Sequence, residues 1–223
     1  MTDTSPEDPS AFGKPRGRRE RKKLDTRRKI FRAAFELFTA KGFDSTTVEE
    51  IAERADVAKG TVFNYFPQKS AFLVAAYQEW VMKLVEELGP VESWEGPARA
   101  QLGRLFDFLT DLGAQHRPLA LQVVFENMRQ SHLRLANEET RKAQAEQDHE
   151  AVRLLEIMAR TVVRRGKDRS EVRPEVDDAQ AASLIAAATF HTLVRGLIRG
   201  DGPGEIKTAM GTKLDIIFTG LVP

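Results

Sequence analysis

The stretch from Thr46 to Lys69, TTVEEIAERADVAKGTVFNYFPQK, restricts the fold of this chain more than any other part of it. Val48, Ile51 and Ala52 fall on one side of a first short helix, and Val62 and Phe66 on one side of a second. Thr47 is set to cap the first helix, with Glu50 three residues on to complete a capping box. Ala52 is small enough for the two helices to cross closely. Lys59, Gly60 and Thr61 open the second helix with short or basic side chains, and Pro67 breaks the chain before a third. This is the layout of a helix-turn-helix, whose second helix offers its N-terminal end to a major groove.

Charge sharpens that reading. Ten basic residues lie between Lys14 and Lys29 against Glu20 and Asp25, a local charge of +8, so the remainder carries −7 to reach the total of +1. A basic block beside a helix-turn-helix is suited to a polyanion. Residues 1–23 read as a disordered arm, basic from residue 14, in which Arg18 and Arg19 are candidate phosphate contacts. A helix follows from about Leu24 to Lys41, with Ile30, Phe31, Ala34, Phe35 and Phe38 as its apolar stripe and Gly42 ending it.

The rest of the chain carries helical periodicity throughout and no hairpin signal, so the expected class is all-α with about nine helices. Residues 24–68 form the helix-turn-helix domain and 69–223 a larger helical domain. Helices are expected at about Lys69–Leu88, Pro97–Gln115, Pro118–Leu133, Asn137–Arg165 (ended by Gly166), Asp177–Arg199 and Pro203–Leu221. Asp177–Arg199 is apolar nearly all round and needs cover on two sides, which makes a second subunit the simplest partner.

From Arg27 to Phe72 the chain closely resembles the DNA-binding domain of TetR-family transcriptional regulators: a basic start, an amphipathic helix ending at Lys41-Gly42-Phe43, then TTVEEIA, KGTVFNYF and a Pro-x-Lys helix start. Asp56 stands where the family often has Gly, and Ala58 where it often has a Ser or Thr cap. The resemblance implies a palindromic double-stranded operator, contacted by Thr46, Thr47, Lys59, Gly60, Thr61, Phe63, Asn64, Tyr65 and Lys69. Lys59 and Asn64 are the base readers, and Phe63 stands where the family commonly has Tyr. It also implies a homodimer through the last two helices, whose Ala-rich face suits close approach. The implied pocket takes an apolar or aromatic effector, lined by Phe106, Leu109, Phe125, Met128, Leu155, Met158 and Phe190 with Asn127, His132 and His191 as polar points. The function implied is a repressor released by that ligand. The alternative is a DNA-binding regulator without a small-molecule ligand, controlled by a protein partner.

An enzyme is not expected. The chain has no cysteine, and its four histidines, His116, His132, His149 and His191, lack metal-ligand spacing, so no catalytic residue, metal or cofactor is assigned. GDGPGE near Gly200 follows no strand and reads as a turn. No apolar run reads as a membrane span or signal peptide, and the expected location is cytoplasmic.

Overall fold

The computed structural model describes the backbone of residues 17–135 and 150–221, and the side chains of 17–126 and 154–221. The first sixteen residues of the expected arm, and the beginning of the helix expected from Asn137, lie outside the described residues. Nine α-helices and no strand are present among the described residues, so the chain is all-α. They are α1 (Arg18–Lys41), α2 (Val48–Arg54), α3 (Lys59–Tyr65), α4 (Ala71–Leu88), α5 (Ala98–Gln115), α6 (Arg117–Leu135), α7 (Glu150–Asp168), α8 (Asp178–Arg199) and α9 (Pro203–Leu221). Two compact units result, Met1–Phe72 and Leu73–Pro223.

In the first unit α1 turns Ile30, Ala33, Ala34 and Phe38 inward and packs against α2, which in turn packs against α3. Gly42 ends α1 at φ +90°, and its N–H donates to the Phe38 carbonyl at 2.9 Å. Aromatic rings fill the space behind α3. Phe66 stacks on Phe72 at 4.1 Å, and Phe38 meets Phe72 at 5.9 Å and Phe43 at 4.9 Å. Burial of each such ring stabilises the unit by about 1.5–3 kcal/mol. Helix α1 starts at Arg18, six residues before the expected boundary. Arg18–Lys23 is therefore helical rather than part of a disordered arm, in keeping with the good helix propensity of Arg and Lys.

In the second unit α5, α7, α8 and α9 enclose a core that includes Leu102, Phe106, Met158, Val162, Ile185 and Met210. Pro97 stands at the N-cap of α5 rather than in its first turn and offers no cap hydrogen bond. The Glu171 carboxylate, from the α7–α8 connection, instead accepts from the Ala98 N–H at 2.6 Å. Gly166 does not end α7, which runs on to Asp168. Its role is clearance: a Cβ there would stand 2.9 Å from Val172 Cγ2 and 3.2 Å from Ala98 Cβ.

Helix α8 buries Ala181, Ala182, Ile185, Ala186, Thr189, Thr192, Gly196 and Leu197 against its own domain. Its Ala-rich face is thus an internal contact and not the free one. Leu184, at 56% exposure, and Ile198, at 54%, lie on the opposite side. By length and hydropathy alone Asp178–Arg199 meets the minimum for crossing a bilayer, which the sequence reading did not register. Packing against α7 and α9 accounts for that character.

Candidate nucleic-acid interface

Helix α2 begins with the expected capping box. Thr47 Oγ1 accepts from the Glu50 N–H at 3.3 Å, and the Thr47 N–H donates to Glu50 Oε2 at 2.8 Å. The Lys41 ammonium, pairing with Glu50, together with the Thr47 donors holds the Glu50 carboxyl down to about 2. Thr46 is a correction. It is 2% exposed and its hydroxyl donates to the Gly42 carbonyl at 2.8 Å, so it pins the α1–α2 turn and is not available to a partner.

The corner between α2 and α3 is turned by Asp56 at φ +48°, the left-handed conformation that the family commonly gives to Gly. The Val57 N–H closes it onto the Ala52 carbonyl at 3.0 Å. Ala58 is the N-cap of α3 and supplies no side-chain acceptor.

Helix α3 buries Val62 and leaves the opposite side open. Lys59, Gly60, Phe63 and Asn64 are exposed, with Thr61 and Tyr65 half-buried between them. A Cβ at Gly60 would meet nothing within 4 Å, so the backbone there stands clear for a close approach. Lys59 pairs with Glu49 of α2 and lies 5.9 Å from the centre of the Phe63 ring. The hydrogen bond from Lys59 is the main reason the Glu49 carboxyl sits below its usual range. Glu49 was missed by sequence reasoning, because nothing in a ten-residue separation marks it as the partner of Lys59. Lys69 donates to the Asp44 carbonyl at 3.2 Å and lies 4.5 Å over the Phe43 ring. Burial pushes its ammonium below the usual range, partly offset by Asp44. Arg18 and Arg19 are exposed on α1, apart from the α3 tip, about 16 Å along the helix from Lys29.

The effector residues expected from the sequence divide into three groups. Phe106 and Met158 are buried in the second unit's core, with Leu109 and Leu155 partly buried against it. Phe190 is half-buried, while Phe125 and His191 are exposed. His191 is therefore not a buried polar point: it lies on the side of α8 turned away from its own core. The side chains of Asn127, Met128 and His132 lie outside the described residues. The core instead holds Thr110, fully buried one turn from Phe106, and its hydroxyl has no hydrogen-bond partner among the described residues.

Residues 30–76 match the family model described as bacterial regulatory proteins, tetR family. The chain is 34% identical over 116 residues to the HTH-type transcriptional regulator TcmR of Streptomyces glaucescens. That match covers 48% of this chain and spans about half the length of TcmR, 51%. Among solved structures, the chain superposes on FadR of Thermus thermophilus, a TetR-family transcriptional repressor in complex with lauroyl-CoA. The TM-score is 0.64 at 26% identity, covering 88% of this chain and 95% of that one. FadR of Bacillus subtilis in complex with stearoyl-CoA superposes with a TM-score of 0.64 at 20% identity, covering 87% and 98%, and there the likeness is of fold.

Proposed function

Because this chain belongs to the TetR family of bacterial regulatory proteins, we propose that it is a cytoplasmic homodimeric repressor that grips a palindromic operator and is released by an apolar small molecule. The observation that carries the reading is the open tip of α3, with Lys59 and Asn64 exposed on either side of Thr61 and no side chain at Gly60. Lys59 exchanges Glu49 for guanine O6 and N7, and Asn64 pairs with adenine one turn further on. Thr47, Thr61, Tyr65 and Lys69 hold phosphates that fix the register, Gly60 admits the DNA backbone, and Phe63 lends an apolar contact. Arg18 and Arg19 add contacts that carry no sequence information.

One α3 reads only a few base pairs. A two-fold pair reads half-sites about 34–36 Å apart or a multiple of that. The uncovered stripe of α8 supports the pairing, with Leu184 and Ile198 exposed in one chain. Within the second unit, the unpartnered Thr110 hydroxyl beside Phe106 supports a pocket that presents one polar point to an otherwise apolar ligand. The acyl-CoA bound to the Thermus relative adds weight to the apolar class. Release follows only if that ligand binds the DNA-incompetent conformer more tightly than the other.

The test is selection of duplexes from a randomised pool by the full chain, followed by binding of variants to the selected and scrambled sequences. Lys59→Ala is expected to weaken the selected duplex roughly 5- to 150-fold at each half-site, equivalent to about 1–3 kcal/mol per bidentate contact. Scrambled DNA should change little. Neutralising Arg18 and Arg19 should weaken both and flatten the salt dependence. Equal losses on all sequences for Lys59→Ala would remove the base-reading role, and a strictly monomeric chain would remove the two-fold arrangement.

A further inference from the structure

Helix α1 is 24 residues long, yet its first buried residue is Ile30. The turns before it carry eight basic residues against Glu20 and Asp25, a charge of +6 between Arg18 and Lys29. Arg21, Lys22, Asp25, Arg28, Lys29 and Arg32 recur at three- and four-residue steps and are all exposed, so they form one stripe along the helix. The side chains of Arg21, Lys22, Arg28 and Arg32 make no ion pair among the described residues.

The stripe has a definite destination. Lys29 Nζ lies 3.4 Å from Asp56 Oδ2, in the corner that leads into α3, three residues before Lys59. Beside it an open groove of about 360 Å³ runs between α1 and the end of α2, lined by Arg28, Lys29, Arg32 and Arg54 against the carboxylates of Asp25 and Glu36. Arg54 on the far side is already engaged by Glu36, at 2.8 and 3.1 Å. Arg28 and Arg32 therefore remain without an ion pair among the described residues, next to the recognition corner.

Local energetics oppose this helix in isolation. Arg18 and Lys22, and Arg19 and Lys23, are like charges four residues apart. Arg18 and Arg19 also sit in the first turn, at the positive end of the helix dipole. Gly17 at the N-cap offers no side-chain acceptor; Glu20 in the first turn, with Lys23 three residues on, and Asp25, with Arg28 and Lys29, offset only part of this, since two carboxylates stand among eight basic residues. Negative charge from outside removes each of these penalties together. The polyanion that fits is duplex DNA, because the stripe runs into the corner of a helix-turn-helix in the same unit.

Resting on the operator-binding reading above, we infer that the first turns of α1 are a DNA-coupled helix. Phosphates flanking the segment read by α3 neutralise Arg21, Lys22, Arg28 and Arg32, and the helix over residues 18–29 tightens as they do. The footprint then extends beyond the bases that α3 reads, with no sequence preference in the extension.

The experiment uses the full chain and the duplex selected by it, once with mixed-sequence flanks and once trimmed to the selected core. A triple variant, Arg21→Gln, Lys22→Gln and Arg28→Gln, is compared with the charge-conserving Arg21→Lys, Arg28→Lys. All three positions precede or face away from the core, so folding is spared. On the flanked duplex the triple variant should lose about 0.9 in salt slope for each phosphate contact removed, while its preference for selected over scrambled cores is unchanged. The charge-conserving variant should keep the full slope. Hydrogen exchange at amides 21–29 should slow on DNA binding in the wild type and not in the triple variant. An unchanged slope and flank protection in the triple variant, or full protection of those amides without DNA, overturns the inference while leaving the operator reading intact. A pool from which nothing is selected overturns both.

Discussion

Two helices of the helix-turn-helix start differently, and the difference has a measurable size. Helix α2 carries a complete capping box at Thr47, whereas α3 begins at Ala58 with no side-chain acceptor. Ala58 already has the extended backbone of an N-cap, φ −68° and ψ 146°, and its carbonyl takes the N–H of Thr61 at 2.8 Å and of Val62 at 3.3 Å. Only the side chain is missing. Ala58→Ser places a hydroxyl where it accepts from the Gly60 or Thr61 N–H, and such a cap is worth about 1 kcal/mol. In a unit the size of Met1–Phe72, that moves the melting temperature up by about 4–8 °C. Thr47→Ala should move it down by a similar amount. The assay is thermal unfolding by circular dichroism, with exchange at amides 60–65 identifying which transition belongs to the first unit. An Ala58→Ser chain whose first-unit transition stays in place or falls would refute the reasoning, since it would mean that the start of α3 is already satisfied by other groups.

Two further outcomes follow from the same geometry. Glu50, with its folded value near 2 against 4.5 when free, contributes stability that is complete above 4.5 and is lost as the pH falls toward 2; a melting series over that window should lose its acid dependence in part in Lys41→Met, which removes the largest cause. Gly196→Ala puts a Cβ 2.5 Å from Ile206 Cγ1 where α8 and α9 cross, which should destabilise the second unit by about 1–3 kcal/mol in denaturant titration, and Ile206→Ala in the same chain should recover part of that loss.

The first unit was legible in the sequence because its determinants are short-range. A Thr and a Glu three apart make a capping box wherever they occur at a helix start, and a Gly after an apolar stripe ends α1. The second unit was less so, because burial there depends on which helix meets which. Gly166 reads as a stop until Val172 is seen to fold back over it. Thr46 reads as a surface hydroxyl until the α1–α2 turn buries it on Gly42. The basic run of Arg18–Lys23 suggested disorder by composition alone, although Arg21, Arg28 and Arg32 already stood at helical spacing.

Helix α8 shows why a nearly all-apolar helix defeats a one-chain reading. Its small residues, Ala181, Ala182, Ala186 and Gly196, face inward, where they let α7 and α9 approach closely. Its outward side carries Leu184, Ala187, His191, Val194 and Ile198, and these alternate at steps of three and four. A strict 3.5-residue repeat is the spacing of a seam between two helices, whereas a face turned toward a domain core is broader. With the internal contact already made by the small residues, this narrow outward stripe is left largely uncovered among the described residues. His191 takes the middle of that stripe, the one polar side chain among its five members. A histidine expected as a polar point of an internal pocket therefore stands on the outward stripe of α8, away from the core of its own unit, because burial follows from which helices meet and not from the residue type.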